Sequence, residues 1–103
     1  MKDHSFKDLV VDQLGGLGNI RDRHMFGGFG LYSGSQFFGI VSDDRLYFKT
    51  DEKSKEKYLK HSMKPFRVSP KQILKNYYEV PLEIIEDSQE LMSWASEAAS
   101  LSK

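Results

Sequence analysis

Hydrophobic positions fall into distinct regimes along the chain. Near the start, Phe6, Leu9, Val10, Leu14 and Leu17 recur three or four residues apart, the spacing of one buried stripe on an α-helix. Ser5 stands ahead of that run as an N-cap, with Asp8 in the capping-box position, where Asp is a weaker partner than Glu. Gly15, Gly16 and Gly18 stop the helix near Leu14, because glycine adopts the left-handed turn that commonly ends one. From Ile20 to Lys49 the pattern changes to short apolar and aromatic runs broken by turn residues. It predicts strands at Arg21–Met25, Phe29–Tyr32, Gln36–Val41 and Arg45–Lys49, with turns at Ser33-Gly34-Ser35 and Asp43-Asp44. Strands joined by such short turns run antiparallel, so this half reads as a meander.

The second half repeats both regimes. Asp51 caps a helix over about Glu52–Ser62, and Pro65 ends it. Phe66–Val68 and Tyr77–Val80 read as short strands on either side of a loop containing Pro70, with Pro81 closing the second. Asp87 caps a last helix, with Glu90 in a stronger capping box, and Leu91, Trp94, Ala95, Ala98 and Leu101 form its apolar face. The order is α-β-β-β-β-α-β-β-α. That is an α+β fold, a two-layer sandwich with helices on one face of an antiparallel sheet. Residues 1–103 read as one domain, without repeat, low-complexity tract or linker.

The strands carry apolar residues side by side: Phe37 with Phe38, Leu46 with Tyr47 and Phe48, Tyr77 with Tyr78. Neighbouring strand residues point to opposite faces, so both faces of the sheet are partly apolar while the helices cover about one. The second face is expected to be a subunit contact or a partner site, unless loops or long side chains lying flat cover it.

Composition narrows the function. Fifteen Lys and Arg balance fifteen Asp and Glu, so no overall charge draws the chain to nucleic acid or an anionic membrane. The absence of cysteine excludes a disulfide scaffold, a thiolate metal site and a cysteine nucleophile. No apolar run reaches the roughly 20 residues of a membrane span, and no signal-peptide core is present, so a soluble cytoplasmic domain is expected.

Candidate chemistry is sparse. Gly28-Phe29-Gly30 begins like a dinucleotide-binding loop, but Ser33 holds the third glycine position and a strand follows where a helix must. The glycines therefore read as backbone devices allowing a bulge or a close approach. His4, His24 and His61 are far apart and form no metal-binding pair, and no serine lies in a nucleophile elbow. No catalytic residue, metal or cofactor is expected, and the chain does not read as an enzyme.

Local charge says more. Residues 49–75 hold nine Lys and Arg against three acids, whereas residues 76–103 hold six acids and one lysine. Lys53, Lys57, Lys60 and Lys64 are spaced to share one face of the second helix, a surface for phosphates or an acidic partner if it is more than a solvated face. It lacks arginine for bidentate base reading, so direct nucleic-acid binding is the lesser alternative. Arg21 and Arg23 flank Asp22 and, by alternation, share a face of the first strand.

The run Arg23-His24-Met25-Phe26-Gly27-Gly28-Phe29-Gly30-Leu31-Tyr32 is similar to the signature of the TfoX (Sxy) N-terminal domain family, close to R-x-M-F-G-G-x-G-L-Y. Phe37-Phe38-Gly39-Ile40-Val41, Asp43-Asp44-Arg45-Leu46-Tyr47-Phe48-Lys49 and Tyr77-Tyr78-Glu79-Val80-Pro81 continue the likeness, as does the last helix, so it covers about Phe6 to Ala99. His24 stands where the family commonly has another residue.

The resemblance implies the same two-layer sandwich. It also implies a bacterial regulator of competence genes that works with the cyclic-AMP receptor protein, here as the N-terminal domain without the helical C-terminal one. It supplies no catalytic or cofactor residues. Within the signature, Met25, Phe26, Gly27, Gly28, Gly30 and Tyr32 are read as structural. The expected activity is regulatory contact with a protein partner, either a different protein or a second copy of the chain, and not with a membrane.

Overall fold

The computed structural model describes residues 5–25 and 27–101. Helix α1 spans Ser5–Gln13 and a 3-10 turn follows at Gly15–Leu17. Four strands come next: β1 Ile20–Met25, β2 Gly28–Ser33, β3 Gln36–Ser42 and β4 Arg45–Lys49. Helix α2 is Lys55–Lys60, β5 is Pro65–Ser69 and β6 is Gln72–Glu79. A short α3, Leu82–Ile85, leads into α4, Ser88–Ser100. All strand pairs are antiparallel, in the order β1-β2-β3-β4-β6-β5. The α+β sandwich and the meander are therefore as expected.

Turn chemistry sets the register. Asp43 and Asp44 both take positive φ, 52° and 57°, as a two-residue turn between right-twisted strands requires, and Ser42 faces Arg45 across it. Between β2 and β3 the count slips: Leu31 faces Gly39 but Tyr32 faces Phe37, so Phe38 is an extra residue in a bulge. Phe38 and Gly39 consequently face the same side. Phe38 lies in the main core, and a Cβ on Gly39 would meet Phe48 and Leu31, also core residues.

The main core lies between the sheet and the helices. Leu31, Phe38, Val41, Leu46, Phe48 and Tyr78 from the sheet meet Val10, Leu14, Tyr58, Ile85, Leu91, Trp94, Ala95 and Ala98. Asp87 caps α4 as expected, its carboxylate accepting from the Glu90 amide at 3.2 Å, and the apolar face of α4 settles on β3 and β4.

Four expectations are corrected. Leu9 is 46% exposed and Leu17 36%, so the buried side of α1 reduces to Phe6, Val10 and Val11, with Leu14 buried just past its end. The second helix is shorter than 52–62. Asp51 accepts from the amides of Lys53 and Ser54 while Ser54 Oγ accepts from the Asp51 amide, closing a turn before α2, and Ser62 at φ +61° ends it. β6 starts at Gln72, not Tyr77, because Ser69 pairs with Gln72 across a tight Pro70-Lys71 turn. Finally, Pro81 does not only close a strand: its carbonyl accepts from the amides of Ile84 and Ile85 and opens α3.

Candidate interaction surfaces

The sheet face away from the helices carries a second apolar cluster. Ile40, Tyr47 and Phe66 are 4%, 9% and 8% exposed, with Phe37, Leu74 and Tyr77 packed around them. Ring centroids stand 4.5 Å apart for Tyr47–Phe66, 5.2 Å for Tyr32–Phe37 and 5.8 Å for Phe37–Tyr77, all tilted. The aromatic excess on this side therefore covers itself in part, as flat-lying side chains do. Tyr32, Phe37 and Tyr77 remain half-buried at its rim. Burial raises the Tyr77 hydroxyl above its ordinary pKa, and Tyr32 nearby adds to the shift. Burial likewise raises that of Tyr47. Both phenols stay protonated and able to donate.

Charged side chains frame this cluster. Arg21 and Arg23 face Tyr32 and Gly30 across the β1–β2 ladder, on the open side as alternation requires. Arg45 binds Glu79 at 3.1 Å, and Lys49 lies opposite Tyr77. The intervening Asp22 turns to the helix side, where Lys7 of α1 binds it at 3.2 Å and Asp8 at 2.8 Å. The hydrogen bond to Asp8 is the largest cause of a raised Lys7 pKa.

The signature residues lie at the β1–β2 end. Phe26 is outside the described residues. Gly27 has φ +73°, the left-handed region that favours glycine. Gly28 lies flat against the neighbouring strand, and a Cβ there would overlap the Val41 carbonyl. A Cβ on Gly30 would strike the Phe37 ring at 2.7 Å and the Met25 methyl at 2.9 Å. The space above Gly30 is thus filled by Met25 and Phe37.

The lysine face is not the stripe that spacing suggests. Only Lys57 and Lys60 lie within α2; Lys53 precedes it and Lys64 follows it. Lys53, Lys60 and Lys64 are exposed. Lys57 instead binds Glu97 of α4 and sits 4.9 Å from the Trp94 ring centre. Spacing reveals which lysines share a helix face but not that α4 brings an acid to one of them.

His24 packs edge-on against Phe29, and His61 Nδ1 lies 2.8 Å from the Lys57 carbonyl oxygen. Among the described residues, no three His, Asp or Glu side chains converge as a metal site would need. No helix there is long and apolar enough to cross a membrane. Side chains lying flat, one of the outcomes the sequence allowed for the open face, cover it in part. Adjacent aromatic pairs signalled it, but the cross-strand register that brings Tyr47 onto Phe66 did not show in the sequence.

Comparison with curated proteins finds no match. The family model of the TfoX N-terminal domain matches residues 12–101, from the end of α1 to just past α4. Together with the fold and the placement of the β1–β2 signature, this shows that the chain belongs to the TfoX N-terminal domain family.

Proposed function

We propose that this domain is a non-enzymatic regulatory module, bacterial and cytoplasmic, that acts by docking another protein on the open side of its sheet. The observation that carries the reading is that face itself: a preformed aromatic surface, framed by Arg21, Arg23, Arg45 and Lys49, with no helix laid over it among the described residues. Rigid aromatics with a polar tip, such as Tyr32 and Tyr77, lose little side-chain entropy on binding and are favoured in protein contacts. The family supports a regulatory setting, with transcription of competence genes as the process to examine first.

The test is a photo-crosslinking residue placed at Tyr32 or, as a control, at Lys60, in cells that natively express the protein. Adducts with a protein from Tyr32 and none from Lys60 support the reading. Adducts from Lys60 alone would move the site to α2. A second tagged copy in the same cells distinguishes self-association by the mass of the adduct. Nucleic-acid binding through Lys53, Lys60 and Lys64 is the weaker alternative, because Lys57 is engaged by Glu97. It predicts steeply salt-dependent affinity, lost when those three lysines become Glu.

A further inference from the structure

β1 is the first strand in the sheet order, so its far edge pairs with no strand among the described residues. Over Ile20–Met25 that edge offers alternating N–H and C=O groups to an added strand. Arg21 and Arg23 are exposed and project to the open face beside this edge. A cleft of about 190 Å³ lies between them, lined by Arg21, Asp22, Arg23 and Tyr32. Arg21 gives one N–H to the Gly34 carbonyl at 2.9 Å, which orients its guanidinium and leaves other donors for a ligand. Asp22 is already answered by Lys7 on the helix side. Among the described residues, the open-face cations Arg21, Arg23, Arg45 and Lys49 outnumber the acids near that face, Glu79, which Arg45 binds, and Asp43, whose charge reaches Tyr47.

We infer that β1 is a docking edge for an acidic, extended segment of another protein, which joins the sheet beside β1 and sets two carboxylates, two residues apart, against Arg21 and Arg23. This deepens the protein-docking reading above and rests on it. Alternate side chains of any strand lie about 6.7 Å apart, so a partner with acids at every second position matches the two arginines without strain. Guanidinium takes carboxylate in a bidentate fork, which adds direction to the charge match.

A second copy of this chain fits the edge poorly. Antiparallel pairing of β1 with itself about Asp22 sets arginine against arginine and aspartate against aspartate, and like charges directly opposite destabilise. A nucleic-acid strand fits less well too. The tilted rings of Tyr32, Phe37 and Tyr77 touch one another and leave no slot for a base, and phosphodiesters carry no donor for the carbonyls of β1.

The test uses labelled peptides of alternating Glu and Thr, of alternating Lys and Thr, and of alternating Glu and Pro. A twelve-residue oligothymidine is the fourth probe, and all are read by fluorescence anisotropy at low salt. Amide chemical shifts of the whole chain map the site. The Glu-Thr peptide is expected to bind at least tenfold more tightly than the other three and to shift the amides of residues 20–25. Arg23→Glu is expected to reverse the preference toward the Lys-Thr peptide. Equal binding of the Glu-Thr and Lys-Thr peptides overturns the inference, as does tighter binding of the oligothymidine, undiminished binding of the Glu-Pro peptide or shifts confined elsewhere. The wild-type comparison decides without any variant. Adducts at Tyr32 with no peptide selectivity would leave the docking reading standing and remove the added strand. Failure of both experiments would remove both.

Discussion

Gly28→Ala separates the two roles that a glycine-rich segment can play, shaping main chain or holding a ligand. The added methyl would overlap the carbonyl oxygen of Val41 and stand 3.2 Å from its carbon and 3.3 Å from Ser42 Cα. These are backbone atoms of the next strand, so no side-chain rotation relieves the clash. A carbon and a carbonyl oxygen rest at about 3.3 Å or more, and β2 and β3 must part by roughly 1 Å to restore that. Overpacking of this kind costs about 1–3 kcal/mol. Parting the strands also weakens the ladder where Phe29 faces Val41, at about 1 kcal/mol per hydrogen bond. The expected loss is about 3 kcal/mol, a large share of a typical domain's 5–15 kcal/mol. In urea, with a slope near 1.5 kcal/mol/M, the midpoint falls by about 2 M. On heating, Tm falls by about 12–24 °C.

The assay is urea unfolding followed by the single tryptophan, Trp94, and by far-ultraviolet circular dichroism. Two companions scale the result. Gly27→Ala meets nothing within 4 Å but must hold φ +73°, at about 1–2 kcal/mol. Gly15→Ala meets nothing within 4 Å and needs no left-handed backbone, so it stays within about 0.5 kcal/mol of wild type. A Gly28→Ala protein as stable as Gly15→Ala would refute the steric reasoning. If that stable protein also lost a binding activity, the glycine would belong to a ligand site.

Three further outcomes follow from the packing. Tyr58→Phe is expected to raise stability by about 1 kcal/mol in the same urea assay, because the buried Tyr58 hydroxyl has no hydrogen-bond partner among the described residues, and a clear loss would show that it has one. A double-mutant cycle on Lys57→Ala and Glu97→Ala is expected to give a coupling of about 0.5–1 kcal/mol that shrinks in 1 M salt; zero coupling would mean that the pair does not persist in solution. Hydrogen bonds from the Ser54 backbone and side chain hold the Asp51 carboxyl below its ordinary pKa, so its stabilisation is complete above about 3.9 and fades as pH falls further. The gap in Tm between wild type and Asp51→Ala should therefore narrow below pH 4, and a gap that stays constant down to pH 2 would contradict the assignment.

Much of this fold was legible because its signals are local. Asp87 with Glu90, Asp43-Asp44 and the limits of β4 each rest on a few adjacent residues whose chemistry admits one backbone path. What escaped depends on partners distant in sequence. Gln72–Asn76 mixes polar and apolar residues without alternation and becomes strand because β5 pairs with it and distorts it, with Pro65 opposite Tyr78 but Phe66 opposite Leu74. α3 has four residues, too few for any periodicity. The shared face of Arg21 and Arg23 was readable from alternation alone. The diversion of Lys57 to Glu97 needed the position of α4, which no spacing rule within residues 53–64 contains.

The extra residue in β3 has a consequence for how this chain tolerates change in length. A strand normally counts in twos, and losing one residue turns everything beyond it inside out. Here Phe38 stands outside that count: Phe37, Gly39, Ile40 and Val41 alternate correctly without it. Deleting Phe38 would hollow the core by one ring yet keep every other side chain of β3 on its own side. β4 carries no such surplus, so deleting Tyr47 from it would break the parity of that strand.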